Sequence, residues 1–347
     1  MNILVAMSGG VDSSVSAFLC REKYVSCVGA TMLLADDGAN NVNDARSVCE
    51  RLGVGHEVID MRGMFRDKVM QNFVEVYESG GTPNPCIECN RHIKFGGFMS
   101  HARASGFDRI ATGHYVRIER DNSGRYLLRK AVDPSRDQSY VLYVLTQEQL
   151  SSVDFPLGGM LKSDVRDMAE SLGFVNAKRR DSQDICFVPD GDYGGFIEAF
   201  TGKNYPAGNF VDASGKILGH HRGIIHYTAG QRRGLGVAGK SRLYVSRIDP
   251  HSNTITLRPE NDAGLYARGI IARNVNLVAY ERLPENFRAG VKVRYRQREI
   301  PCTVNQSGDD EFVIEFAESV KCPALGQSAV IYDGEYVIGG GVIAGVI

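Results

Sequence analysis

The sequence predicts an α/β plus β protein: an N-terminal doubly wound parallel-sheet domain, a small central β-rich domain and a C-terminal β-barrel. Three observations carry this. Its 347 residues exceed one ordinary domain, so two or three cores are expected. From Asn2 to about Tyr115, short apolar runs alternate with helical patterns in a βαβα order. Beyond residue 200, Gly and Pro become frequent, helical periodicity fades and short alternating strands appear.

In order, residues 3–7 read as a strand and a helix follows Ser13. Residues 27–34 and 57–60 read as strands, 45–52 and 65–77 as helices, and 109–113 as a further strand. Ser8 and Gly113-His114 follow strand ends, where an open α/β sheet binds ligands. Residues 116–132 read as a hairpin turning at 121–124, and helices are expected at about 138–151 and 162–172. Strands are expected at 243–248, 254–257, 291–296, 312–316 and 328–332. The domains are placed at 1–201, 202–267 and 268–347.

Composition excludes several classes. Apolar residues make up 43% and charged residues 23%, and no run approaches the roughly 20 apolar residues of a membrane helix. The N-terminus shows no basic segment or cleavage site before the first strand, so a cytoplasmic location is expected. Eight cysteines in so long a chain point to thiol chemistry or burial, not to a secreted disulfide framework. A net charge of −1 leaves nucleic-acid binding to local basic patches.

The densest signal is Ser8-Gly9-Gly10-Val11-Asp12-Ser13-Ser14. A strand ending in two glycines lets the backbone approach phosphate oxygens, and amides, hydroxyls and a following helix N-terminus can then point at them. The spacing is not that of a Walker P-loop, and no Lys is placed to reach a γ-phosphate. It resembles the SGGxDS loop of the PP-loop ATP pyrophosphatases, which cleave ATP between its α and β phosphates. A plain Ser/Gly turn with Asp12 or Ser13 as a helix N-cap is the alternative.

Cys86 and Cys89 form a C-x-x-C after Thr82-Pro83-Asn84-Pro85, just before a helical stretch expected from about Arg91. A helix N-terminus favours thiolate, as would Lys178-Arg179-Arg180 upstream of Cys186 in the polar run Asp181-Ser182-Gln183-Asp184. Cys20, Cys27 and Cys49 sit in apolar or helical patterns and read as inert core, and Cys302 and Cys322 as structural. Half of a zinc site is the competing reading of Cys86 and Cys89, but no partner pair stands at finger spacing.

These motifs join with Ile93-Lys94-Phe95, Ala111-Thr112-Gly113-His114-Tyr115, Asp137-Gln138-Ser139-Tyr140, Ile185-Cys186-Phe187, His226-Tyr227-Thr228 with Gly230-Gln231-Arg232-Arg233-Gly234-Leu235-Gly236, and Arg294-Tyr295-Arg296-Gln297. Together, over nearly the whole chain, they resemble the bacterial tRNA-specific 2-thiouridylase (MnmA) family. The resemblance implies a PP-loop domain of the adenine nucleotide alpha hydrolase type. It also implies adenylation by ATP with Mg2+ of the C2 oxygen of a tRNA wobble uridine, then sulfur transfer to give 2-thiouridine. By position, Cys89 matches the nucleophile and Cys186 the persulfide carrier, which can also close a disulfide. Ala6, Met7, Ser8, Gly9, Gly10, Val11, Asp12, Ser13, Ser14, Met32 (after the second strand) and Gly113 match ATP contacts. Asn84, Pro85 and Cys86 match the segment facing the target base, and Arg136, Asp137, Gln138, Arg294 and Tyr295 match tRNA contacts.

Cys86 stands where the family's best-known members carry Asp, so Cys86, Cys89 and Cys186 could instead hold a [4Fe-4S] cluster, as in related PP-loop thiolases. Both sulfur chemistries stay open at this point. The expected partners are tRNA of the Lys, Glu and Gln type and a sulfur donor or relay protein, with no membrane; a monomer is expected. Lys292, Arg294, Arg296 and Arg298 alternate with other residues, so a strand there would present four cations to phosphate, or a solvated edge. His114 reads equally as a turn stabiliser or a nucleotide contact, and His220, His221 and His226 read as structural. Two other classes compete: a PP-loop synthetase adenylating a small molecule, which needs no separated pair of cysteines, and an RNA-binding protein with a vestigial nucleotide fold.

Overall fold

The computed structural model describes residues 1–35, 39–179, 185–237 and 241–347. Strand Asn2–Ala6 is central: Ile3, Leu4 and Val5 are fully buried, as a parallel strand covered on both faces must be. It pairs in parallel with Ser26–Leu33 on one side and Arg109–Ala111 on the other; Gly55–Asp60 and Val153–Asp154 form the outer strands. Ile3 and Val5 face helices Val11–Lys23 and Ala39–Leu52 through Val15, Val48 and Cys49, whereas Leu4 and Ala6 face Phe65, Ile93 and Phe98. The strand order changes direction between Asn2–Ala6 and Arg109–Ala111, which opens a crevice beyond their carboxyl ends.

The helix expected at 138–151 is two short ones, Ser139–Leu142 and Gln147–Ser151. Thr146 separates them by starting the second with a capping box, its hydroxyl accepting from Gln149 N while Gln149 Oε1 accepts from Thr146 N.

Strands Leu243–Asp249, Thr254–Pro259, Gly208–Val211 and Ile217–His221 form a four-stranded sheet in that spatial order. Six antiparallel strands follow, Tyr266–Leu277, Phe287–Lys292, Ile300–Gln306, Glu311–Lys321, Ser328–Asp333 and Tyr336–Val346, and pairing of the first with the last closes a barrel. The expected hairpin forms from Arg117–Arg120 and Tyr126–Arg129, but its hydrogen bonds run into the barrel sheet through Arg129 opposite Tyr336. The parallel-sheet region and the barrel therefore share a core in which Leu128, Tyr140 and Tyr143 pack with Val330 and Tyr332.

The basic stripe is corrected. The strand ends at Lys292, and residues 293–296 bend and turn, so the four cations do not share a strand face. Lys292 points inward, 4.9 Å from the Tyr332 ring centroid and 3.9 Å from both Asp137 and Glu299. No helix among the described residues is long and apolar enough to cross a membrane.

Candidate active site

Immediately after strand Asn2–Ala6, Gly9 takes a φ of +71°, and a Cβ there would lie 2.6 Å from Asn41 O. Only glycine fits this turn. Ser13 Oγ donates to Gly10 O at 2.9 Å and accepts from Ser8 N at 3.2 Å, and Ser14 Oγ donates to Gly10 O at 3.0 Å. Gly10, the N-cap of Val11–Lys23, supplies no side-chain cap. The helix's first-turn amides lack intrahelical acceptors and suit an anion. Gly113 abuts this loop: a Cβ would stand 3.0 Å from Ser13 N. The two strand-end segments read from the sequence thus line one crevice. Ala6, Met7 and Val11 are buried beneath it, while Met32 lies within strand Ser26–Leu33 instead of after it.

Four residues that sequence reasoning missed complete the loop. Lys162 Nζ lies 2.7 and 2.8 Å from the two Asp12 carboxylate oxygens, and Tyr115 Oη donates to Asp12 Oδ1 at 2.7 Å. Asn176 Nδ2 donates to Gly9 O at 2.8 Å and to Ser14 Oγ at 2.9 Å. Arg179 donates to Gly9 O and holds Asp44 at 2.7 Å. Its position in Lys178-Arg179 was the available signal, but it pointed to the thiols instead.

The thiol-bearing helix starts earlier than expected, at Pro85. It runs through Pro85–Glu88, a π-helical stretch Cys89–Gly97 and Phe98–Ala104, because Pro85 suits the first turn, where an N–H has no partner. Cys86 is exposed in that turn and Cys89 is buried at 8% exposure. The expected thiolates are not what the environment favours. Burial pushes the Cys89 thiol up and outweighs the opposing pull of Lys94, and Cys86 pushes it further up. Cys186 is exposed, yet the protein crowded around its sulfur still desolvates it enough to push the thiol up to about 11, with Cys89 and then Cys86 adding to the shift. This mutual influence places the three thiols in one neighbourhood. Phe187 anchors Cys186 there, its ring centroid 5.6, 5.3 and 5.0 Å from those of Phe65, Phe73 and Phe196. Arg180 to Asp184, read as the polar run before Cys186, lie outside the described residues. Cys20, Cys49, Cys302 and Cys322 are buried and Cys27 is half-buried.

Among the described residues no three His, Cys, Asp or Glu side chains converge into a metal site. His114 is buried between Thr112, whose Oγ1 is 2.6 Å from Nδ1, and Lys94, whose Nζ is 3.4 Å from Nε2. Burial, then the Lys94 charge, hold its pKa well below the usual histidine value. The neutral ring accepts from Lys94 and donates from Nδ1 to Thr112.

The barrel reaches the thiols through Tyr295. Its hydroxyl donates to Asp137 O at 3.4 Å, its ring stacks obliquely 5.8 Å from Tyr140, and burial, then Asp137 and Cys86, push its phenol up. Arg136 and Arg296 act on the same phenol, so they share this surface. Two residues expected at the RNA also hold the local backbone: the Asp137 carboxylate accepts from Ala131 N and Ser139 Oγ, and Gln138 Oε1 accepts from Tyr115 N. Arg294 donates to Cys322 O at 2.8 Å and Ala229 O at 3.3 Å.

A glycine-pair loop at a parallel-sheet switch point, followed by two appended β-domains, is the architecture of a PP-loop nucleotide-dependent enzyme. Family models match in the same sequence: a tRNA methyl transferase HUP domain over residues 1–190, a tRNA methyl transferase PRC-barrel domain over 194–258 and an aminomethyltransferase beta-barrel domain over 267–343. The chain belongs to the MnmA family. It is 42% identical over 353 residues to the tRNA-specific 2-thiouridylase MnmA of Clostridioides difficile (strain 630), covering 98% of this chain and 97% of that one. It is 44% identical over 357 residues to that of Geotalea uraniireducens (strain Rf4), covering 98% and 94%. A solved U34-tRNA thiolase NcsA from Methanococcus maripaludis, with its [4Fe-4S] cluster, is 17% identical at a TM-score of 0.34, covering 58% of this chain and 68% of that one, which is too distant to bear on the thiols.

Proposed function

We infer that the protein is a tRNA-uridine 2-sulfurtransferase that uses ATP to install 2-thiouridine at the wobble position. The observation that carries this reading is the gathering of Cys86, Cys89 and Cys186 near the barrel's Tyr295, with Lys94 acting on Cys89 and contacting His114 of the strand-end segment that abuts the Ser8–Ser14 loop. Its relatives' names and the family membership support it. Residues 1–201 form the catalytic domain, 202–267 the central domain and 268–347 the barrel that meets tRNA.

The uridine C2 oxygen attacks the α-phosphorus of Mg2+-bound ATP, forming an adenylate and expelling pyrophosphate. A carbonyl oxygen leaves poorly, but as AMP it leaves readily. A sulfur donor first loads Cys186 as a persulfide. The terminal persulfide sulfur attacks C2 and AMP departs; the Cys89 thiolate then attacks Cys186 Sγ. A Cys89–Cys186 disulfide forms, and the electron pair of the broken S–S bond stays on the sulfur at C2. A two-electron reductant reopens the disulfide. If Cys89 attacks before transfer, the same oxidation releases sulfide, which displaces AMP instead. Raised thiol pKa values keep Cys89 and Cys186 protonated at rest, so each needs a base or the bound adenylate's surroundings to ionise it. A flipped uridine reaching Cys89 past Asn84, Pro85 and Cys86 fits how base-modifying enzymes gain access.

The test is incubation with ATP, a persulfide donor and unmodified tRNA, followed by nucleoside mass spectrometry and AMP quantification. 2-Thiouridine with stoichiometric AMP is the expected result. Absence of both, under persulfide and under anaerobic sulfide alike, rejects the reading.

A further inference from the structure

The segment before the thiols, Thr82-Pro83-Asn84-Pro85, can form few hydrogen bonds of its own, because its prolines lack N–H groups. The backbone groups of Thr82 and Pro83 are met by the barrel, some 245 residues away in sequence. Gln327 Nε2 donates to Thr82 O at 3.0 Å and to Pro83 O at 2.9 Å, and Thr82 N donates to Leu325 O at 2.7 Å. Backbone meets backbone closely here. A Cβ on Gly326 would lie 3.1 Å from Thr82 O, and one on Gly81 would lie 3.1 Å from Leu325 O.

The neighbouring barrel atoms hold the rest of the thiol site. Ser328 O accepts from Tyr140 Oη at 2.8 Å, and Ser328 Oγ lies 3.1 Å from Tyr143 Oη. Val141, between those tyrosines, accepts from Asn90 Nδ2 at 2.9 Å, and Asn90 directly follows Cys89. Upstream in the barrel, Cys322 O takes the Arg294 guanidinium. A short strap, residues 322–328, thus runs from Arg294 to the residues on both sides of the thiols.

We propose that Gln327 is a positioning residue for sulfur transfer: its amide sets the approach of Asn84, Pro85 and Cys86, and so the place where the adenylated uridine meets Cys89. Catalysis depends on such placement, because a displacement of about 1 Å of a reacting group can cost on the order of 100-fold in rate. The ATP loop lies on the opposite end of the contact chain, bonded to Asn176, Lys162 and Arg179 and not to the strap. Gln327 therefore acts on the sulfur step and not on adenylation.

The inference rests on the thiolation reading, and its test separates the two. Gln327→Met keeps the volume and removes the donor; Gln327→Glu keeps the shape and replaces the donor with an acceptor facing two carbonyls. Both are expected to lower kcat for 2-thiouridine on the order of 10- to 100-fold, with KM for ATP and tRNA within about twofold and AMP released in excess over thiouridine. The rate of Cys86 alkylation by iodoacetamide, read by peptide mass spectrometry, should change in the same variants without any tRNA present. Wild-type rates in both variants, or AMP and thiouridine falling in proportion, would overturn the proposal. Failure of the wild-type protein itself to make 2-thiouridine would instead bring down the reading beneath it, and an unchanged alkylation rate would overturn the strap on its own.

Discussion

Lys162 and Asp12 form a two-point ion pair, with the Lys162 side chain only 8% exposed and the Asp12 side chain 31% exposed. Asp12 belongs to the Ser8–Ser14 loop, whereas Lys162 starts the helix Lys162–Ser171, 150 residues later. Their contact ties the loop to the far side of the crevice, and Tyr115 Oη donates to the same carboxylate. Removing Lys162 leaves a half-buried carboxylate with less compensation. Lys162→Met is expected to cost about 2 kcal/mol in urea unfolding, between the surface and buried limits, and to suppress AMP formation. Adding Asp12→Asn should restore part of the stability but not the AMP; additive losses in that double-mutant cycle would dissolve the pair.

The thiols divide the labour in a way that single substitutions can read. Cys89→Ser and Cys186→Ser are each expected to abolish 2-thiouridine formation, since each removes one end of the disulfide that the proposed sulfur transfer forms. Cys86→Ser is expected to retain most activity, because the proposed persulfide and disulfide steps run through Cys186 and Cys89 and leave Cys86 without a bond to make or break. Loss of activity in Cys86→Ser, with iron in anaerobically purified wild-type protein, would shift the sulfur chemistry to a cluster.

The parallel-sheet crevice was legible in the sequence because both of its loops are short and local: Gly9 and Gly113 each follow an apolar run. The thiol neighbourhood was legible only as residue types. Nothing local announces that Cys186 returns to Cys89; that depends on Phe187 packing among Phe65, Phe73 and Phe196, an aromatic cluster assembled from distant segments. The thiolate expectation failed for a related reason. A C-x-x-C at a helix start favours ionisation only while the sulfur keeps water, and Cys89 does not. The basic stripe failed because alternation reports a strand only where the ladder continues, and here Lys292 and Arg294 turn to partners across the fold.

Cys186 should show its raised pKa directly. A thiol held at about 11 is neutral at pH 7, and its thiolate fraction grows tenfold per unit until the pKa is reached. Alkylation of Cys186 by iodoacetamide is therefore expected to rise log-linearly through pH 10, while glutathione levels off near pH ~9. A plateau for Cys186 below pH 9 would show that its surroundings favour thiolate after all.

His114 gives stability its own pH dependence. Its folded pKa lies well below the unfolded value, so between the two the unfolded chain binds the extra proton. The stabilisation is complete above the unfolded value of about 6.5 and is lost as pH falls toward the folded pKa, at up to about 1.4 kcal/mol per unit. His56, His92, His221 and His226 are also depressed by burial and add to the same slope. Urea midpoints should fall between pH 7.5 and 5.5, and His114→Gln should flatten the fall; an unchanged slope would place the titration elsewhere.

Arg294 bears on both framework and RNA. Two carbonyls, Cys322 O and Ala229 O, occupy one guanidinium nitrogen, Nη2. A guanidinium carries five donors, so the remaining face can meet a phosphate without breaking either bond. Arg294→Gln is then expected to weaken tRNA binding at every salt concentration and to lower the slope of log K against log salt by about one. It should also lower the melting temperature, because the strap at Cys322 loses its anchor. A lower melting temperature with an unchanged salt slope would confine Arg294 to the framework and leave Arg136 and Arg296, beside Tyr295, as the cations that meet the RNA.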